Sequence, residues 1–170
     1  MNATVEITNE CSKTWVPSQE QCENWLNCGL LVAGLSTSCS VSLSFVDAEN
    51  SQSLNNKYRG KDKPTNVLSF PAEFPNELRD QVENFPLGDI IVCAAVVEEE
   101  AAQQGKDLTA HWAHLSLHGL FHLLGYVHDQ ASSAQEMEAL EISILQALGF
   151  SDPYQFKSDS ITPSITDVKP

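Results

Sequence analysis

Apolar and polar residues alternate through ATVEIT (Ala3 to Thr8) and VSLSFV (Val41 to Val46), which predicts two strands with one buried face each. Two shorter apolar runs, NVLSF (Asn66 to Phe70, stopped by Pro71) and GDIIVC (Gly88 to Cys93), predict two more. The stretch Glu73 to Phe85, with Pro75 inside it and Pro86 behind it, reads as an irregular excursion. Helical spacing fills the rest. Ser18 with Gln21 forms a capping box that opens a helix through about Val32. A short helix is expected over Ala48 to Asn55, leading into a basic loop, and another over AAVVEEEAAQQ, ended by Gly105. The next begins near Asp107 or Thr109 and runs to about Leu124, with Gly125 placed as its left-handed terminal residue. A second capping box, Ser133 with Glu136, opens a last helix whose stripe Met137, Leu140, Ile144 and Leu148 is closed by Gly149.

Strands clustered early and helices late predict an α+β fold: a single domain over residues 1–156, with a mixed β-sheet packed against helices. The tail KSDSITPSITDVKP has no apolar pattern, so residues 157–170 are expected to be disordered.

Composition narrows the class. The chain has 170 residues, 42% hydrophobic and 19% charged, the profile of a soluble globular domain. Its start, MNATVEITNE, lacks the basic and apolar segments of a signal peptide, and GLLVAGL (Gly29 to Leu35) is too short to cross a bilayer. A cytoplasmic protein without membrane contact is expected. Five cysteines (Cys11, Cys22, Cys28, Cys39 and Cys93), odd in number and without C-x-x-C spacing, argue for reduced thiols. The net charge of −14 opposes a nucleic-acid partner overall, yet four of nine Lys and Arg fall within KYRGKDK: Lys57, Arg59, Lys61 and Lys63. On composition alone such a cluster is a solvated loop.

The segment HGLFHLLGYVH holds His118, His122 and His128, three of the five histidines. On a helix His118 and His122 stand one turn apart on one face and can share a metal ion. Gly125 lets the chain turn back, so His128 can close the site from another direction. Three imidazoles leave a fourth position for water, which zinc activates near neutrality. His111 and His114 fall on the same stripe, and His114 is also one turn from His118. The turned-back third arm favours His118, His122 and His128 as ligands, with His114 supporting or packing. Zinc suits this set, as do nickel and copper. Metzincin proteases share the spacing but carry a glutamate base after the first histidine. Gly119 stands there instead, and glycine moves no proton.

This segment resembles the signature of the YbeY family of endoribonucleases, commonly H-G-x-L-H-L-x-G-Y-D-H. Further blocks are similar to that family: LNNKYRGKDKPTNVLSFP (Leu54 to Pro71), LGDIIVC (Leu87 to Cys93) and the helix EMEALEISILQALGF (Glu136 to Phe150). The resemblance spans about residues 41–156. It implies an α+β fold with a zincin-like site on a helix and its following turn, one zinc ion held by His118, His122 and His128, and Arg59 as a catalytic residue. It also implies single-stranded RNA cleavage, maturation of the 3′ end of small-subunit ribosomal RNA, ribosome quality control and ribosome-associated partners, with no DNA substrate. Lys57, Lys61 and Lys63 then become RNA-backbone contacts. A metzincin-like peptidase and a non-catalytic, metal-stabilised ribosome-binding factor are the alternatives. Two residues depart from the pattern: Phe121 for leucine, and Val127 for the aspartate before the third histidine.

Overall fold

The computed structural model describes residues 3–11, 14–126 and 131–154. Four strands and five helices occur in the order β1 (Ala3–Asn9), α1 (Gln19–Ala33), β2 (Cys39–Val46), α2 (Ala48–Arg59), β3 (Val67–Pro71), β4 (Phe85–Cys93), α3 (Ala94–Gln104), α4 (Leu108–Leu123) and α5 (Ala131–Ala147). They form one mixed sheet, β1-β2-β4-β3, in which β1, β2 and β4 are parallel and the edge strand β3 is antiparallel to β4. The expected single-domain α+β architecture is the observed one. Among the described residues no helix is long and apolar enough to cross a membrane.

The alternation of β2 becomes a buried row, Val41, Leu43 and Phe45, with half-buried serines between. Trp25, Leu26 and Leu30 of α1 join that core, as do Leu115, Leu117, Leu120 and Phe121 of α4. From His111 to Leu123 every residue of α4 is buried. A helix enclosed on all sides must satisfy each polar side chain internally, so its histidines need partners from neighbouring elements.

Local chemistry sets the helix ends. Ser18 accepts from Gln21 N at 3.1 Å while Gln21 Oε1 accepts from Ser18 N at 2.9 Å, the predicted capping box. Asp107 caps α4 by accepting from Ala110 N at 3.0 Å. At the other end Gly125 adopts φ +104°. Tyr126 N donates to Phe121 O and Gly125 N to His122 O, both at 3.1 Å, the two bonds of a Schellman motif. Its accompanying apolar contact is the edge-to-face pair of Phe121 and Tyr126, with ring centroids 5.8 Å apart.

Three boundaries differ from expectation. Helix α2 runs on to Arg59, so Lys57 and Arg59 stand on its last turn and not in a loop. Polar anchors explain this: Ser51 Oγ donates to Thr65 O and Asn55 Nδ2 to Lys63 O, both at 2.8 Å, lashing the following loop onto the helix. Strand β4 starts at Phe85, because Phe85 and Leu87 are buried on either side of exposed Pro86; the excursion before it contains a 3-10 turn at Asn76–Gln81. Helix α5 starts at Ala131, which puts Ser133 inside its first turn and overturns the expected cap. All five cysteines are free thiols.

Candidate functional site

The four histidines of α4 that begin with His111 form one buried file, and two carboxylates from flanking helices serve it. His111 Nε2 lies 2.9 Å from Oε1 of Glu100 on α3. Glu100 also accepts from Asn66 Nδ2, at 3.3 Å to each oxygen. Further along, Glu141 of α5 engages two rings: Oε1 lies 2.8 Å from His114 Nε2 and Oε2 lies 2.8 Å from His118 Nδ1. The Tyr154 hydroxyl donates to Oε1 at 2.5 Å and lies 3.2 Å from His114 Nε2.

Glu141 is fully buried. Burial alone would raise its pKa, but His118 and His114, which face its two oxygens, hold it well below the usual carboxylate range. An ionised carboxylate only accepts, so the facing ring nitrogens carry the protons: Nδ1 of His118 and Nε2 of His114. Burial pushes the His114 imidazolium down to about 4 against the pull of Glu141, so that ring is neutral near pH 7. Tyr154 is shifted upward by burial and by the Glu141 charge beside it.

With Nδ1 of His118 facing Glu141, its Nε2 points to the next turn, where His122 Nε2 stands 3.1 Å away. Two nitrogens bound tetrahedrally to one zinc ion at about 2.0–2.1 Å would lie roughly 3.3 Å apart. The pair thus fits two ligands of one metal ion. Among the described residues no group of three or more His, Cys, Asp or Glu is arranged to hold a metal. His128, expected as the third ligand, lies outside the described residues, as do Val127 and Asp129. His114, with Nε2 committed to Glu141 and Tyr154, serves the file as a supporting ring.

Gly119 packs against the sheet. A Cβ there would lie 2.8 Å from Ile90 Cγ2 and 3.1 Å from Ser69 Oγ, and Ser69 Oγ donates to Gly119 O at 2.9 Å. This position has no room for a protease's glutamate, whatever its chemistry.

The basic cluster sits at the other end of the file. Arg59, Lys61 and Lys63 line a crevice of about 70 Å³ with Asn55, Asn66 and Glu100. Lys57 is not among its lining residues; its Nζ lies 5.2 Å from the centre of the Tyr58 ring. Glu100 joins this crevice to His111, which precedes His118 by roughly 10 Å along the helix axis at 1.5 Å per residue.

Sequence reasoning missed Glu141, Glu100 and Tyr154. The signal for Glu141 was present, because it stands four residues after Met137 and three before Ile144, within the buried stripe of α5. A carboxylate on an apolar stripe needs a buried donor.

A family model described as "Endoribonuclease YbeY" matches residues 6–149. The solution structure of a target protein from Thermotoga maritima matches with a TM-score of 0.54 at 23% identity, covering 88% of this chain and 98% of that one. At that identity the likeness concerns the fold.

Proposed function

Since the chain belongs to the YbeY endoribonuclease family, hydrolases that act on RNA, we propose that it is a metal-dependent, single-strand-specific enzyme. The observation that carries this reading is the convergence of His118 Nε2 and His122 Nε2 at 3.1 Å, with Glu141 behind His118. His118, His122 and His128 would hold one metal ion, zinc being the first choice for three imidazoles and nickel a second. When bound, the ion supplies Lewis-acid activation of water and of the phosphate oxygens.

The remaining work falls to side chains of the chain itself. Arg59, whose crevice meets the file at Glu100 and not at His118, binds a phosphate of the RNA chain through its planar fork and so holds the substrate for cleavage. Lys61 and Lys63, which share its crevice, and Lys57 on the same helix turn attract the RNA backbone without reading its sequence. On a body of net charge −14, this cluster directs RNA to one place and the acidic remainder repels it elsewhere. The substrate we assign is ribosomal RNA, at the 3′ end of the small-subunit molecule, in cytoplasmic ribosome maturation and quality control with ribosome-associated partners. Gly119, pressed on Ile90, disfavours a peptidase.

The test is metal content and cleavage of single-stranded RNA by the purified protein, before and after chelation. Stoichiometric metal and cleavage lost on chelation and restored by zinc are expected. Cleavage that survives complete metal removal would overturn the proposal.

A further inference from the structure

We infer that Glu141 is the positioning residue of the metal centre: it fixes the tautomer and direction of His118 and keeps His114 out of the ligand set. The inference rests on the metal site proposed above and deepens it. Both Glu141 oxygens face ring nitrogens at 2.8 Å, so neither is left to bind a metal ion. The Oε2 contact is to His118 Nδ1, the nitrogen remote from His122, and this leaves the lone pair on Nε2 where the two rings meet. A carboxylate behind a ligating imidazole orients the ring and raises its basicity. The Oε1 contact does the opposite for His114, engaging the Nε2 that would otherwise compete one turn up the helix. One side chain therefore separates a ligand from a non-ligand among histidines of equal burial.

Glu141 also links helices. It stands on α5 while the rings stand on α4, so the metal site inherits its precision from the packing of α5 and from the Tyr154 hydroxyl on Oε1. Glu100 supplies a matched control, a buried carboxylate on His111 of the same helix.

The experiment measures Zn²⁺ affinity by competition with a chelating dye for the wild type, Glu141→Gln and Glu100→Gln, with circular dichroism as a check on fold. Ring-nitrogen NMR of the metal-free wild type reports the His118 tautomer. Glu141→Gln should weaken Zn²⁺ binding by about 10–100-fold, Glu100→Gln should leave it unchanged, and His118 should carry its proton on Nδ1. Should Glu141→Gln fail to fold, Glu141→Asp, which keeps the charge but shortens its reach, is expected to weaken binding likewise. Wild-type affinity in the folded Glu141 variant, equal losses in the two glutamine variants, or an Nε2–H tautomer would overturn the inference while leaving the metal site standing. A wild type that binds no Zn²⁺ would overturn the metal site itself, and this inference with it.

Discussion

Helix α4 meets a buried glutamate twice, and the two meetings differ in what lies beyond the ring. At its first turn Glu100 takes one histidine and one asparagine, and among the described residues His111 Nδ1 has no hydrogen-bond partner. Two turns on, Glu141 takes two histidines and a phenol, and the far nitrogen of His118 meets His122. The pair chemistry is the same, a carboxylate satisfying a buried imidazole. Only at Glu141 does the ring pass the effect on to a second ligand-type nitrogen. A buried His–Glu contact therefore says little about function until the other ring nitrogen is followed.

The sharpest way to break this comparison is to delete rings. His118→Ala, His122→Ala or His128→Ala should each remove most of the bound metal, whereas His111→Ala should retain it, as read by metal analysis of the purified proteins. Metal loss in the His111 variant would erase the distinction between the two ends. The next largest effect belongs to the crevice beside Glu100. Arg59→Glu should abolish RNA cleavage with metal content intact, and Arg59→Lys should recover part of the rate, since an ammonium lacks the planar fork. Cleavage assays with parallel metal analysis decide it.

A smaller effect lies between the two ends, where Gly119 lets α4 sit close to the sheet. Gly119→Ala puts a methyl 2.8 Å from Ile90 Cγ2. Overpacking of that kind costs about 1–3 kcal/mol, against a helix-propensity gain of about 1 kcal/mol. A net loss of up to about 2 kcal/mol in denaturant unfolding is expected; a raised midpoint would mean that the sheet yields. The smallest effect is expected from Val127→Asp, which adds a carboxylate at the position before His128 in the sequence. It should raise Zn²⁺ affinity or cleavage modestly, and a change confined to melting temperature would assign that carboxylate to the local turn.

Most of the architecture was legible because it rests on local pattern. The alternation of VSLSFV, the Ser18 box and Gly125 each act within a few residues, and each appears where the pattern predicts; of the two starts offered for α4, Asp107 is the observed cap. What was not legible acts across the chain. The extension of α2 depends on Ser51 and Asn55 bonding residues beyond the helix, and nothing in AENSQSLNNKYR advertises an apolar face. The start of β4 at Phe85 depends on its register with β2, which shifts between Ser40 and Val41. At the site, the spacing of His118 and His122 foretold their meeting, since four residues make one turn. Their support could not be foretold from that segment, because Glu141 comes from another helix, 23 residues further on.

The way α4 ends bears on the cost of capturing an ion. Its last turn is closed by Tyr126 N on Phe121 O, Gly125 N on His122 O and the ring of Tyr126 on Phe121, and none of these contacts uses an imidazole nitrogen. The backbone has therefore surrendered its freedom through Tyr126 before any ion arrives, a loss of roughly 1–2 kcal/mol per residue already met by folding. An ion bound between His118 and His122 would meet a helix already closed behind them, so its binding free energy would go into the new bonds and little into ordering α4.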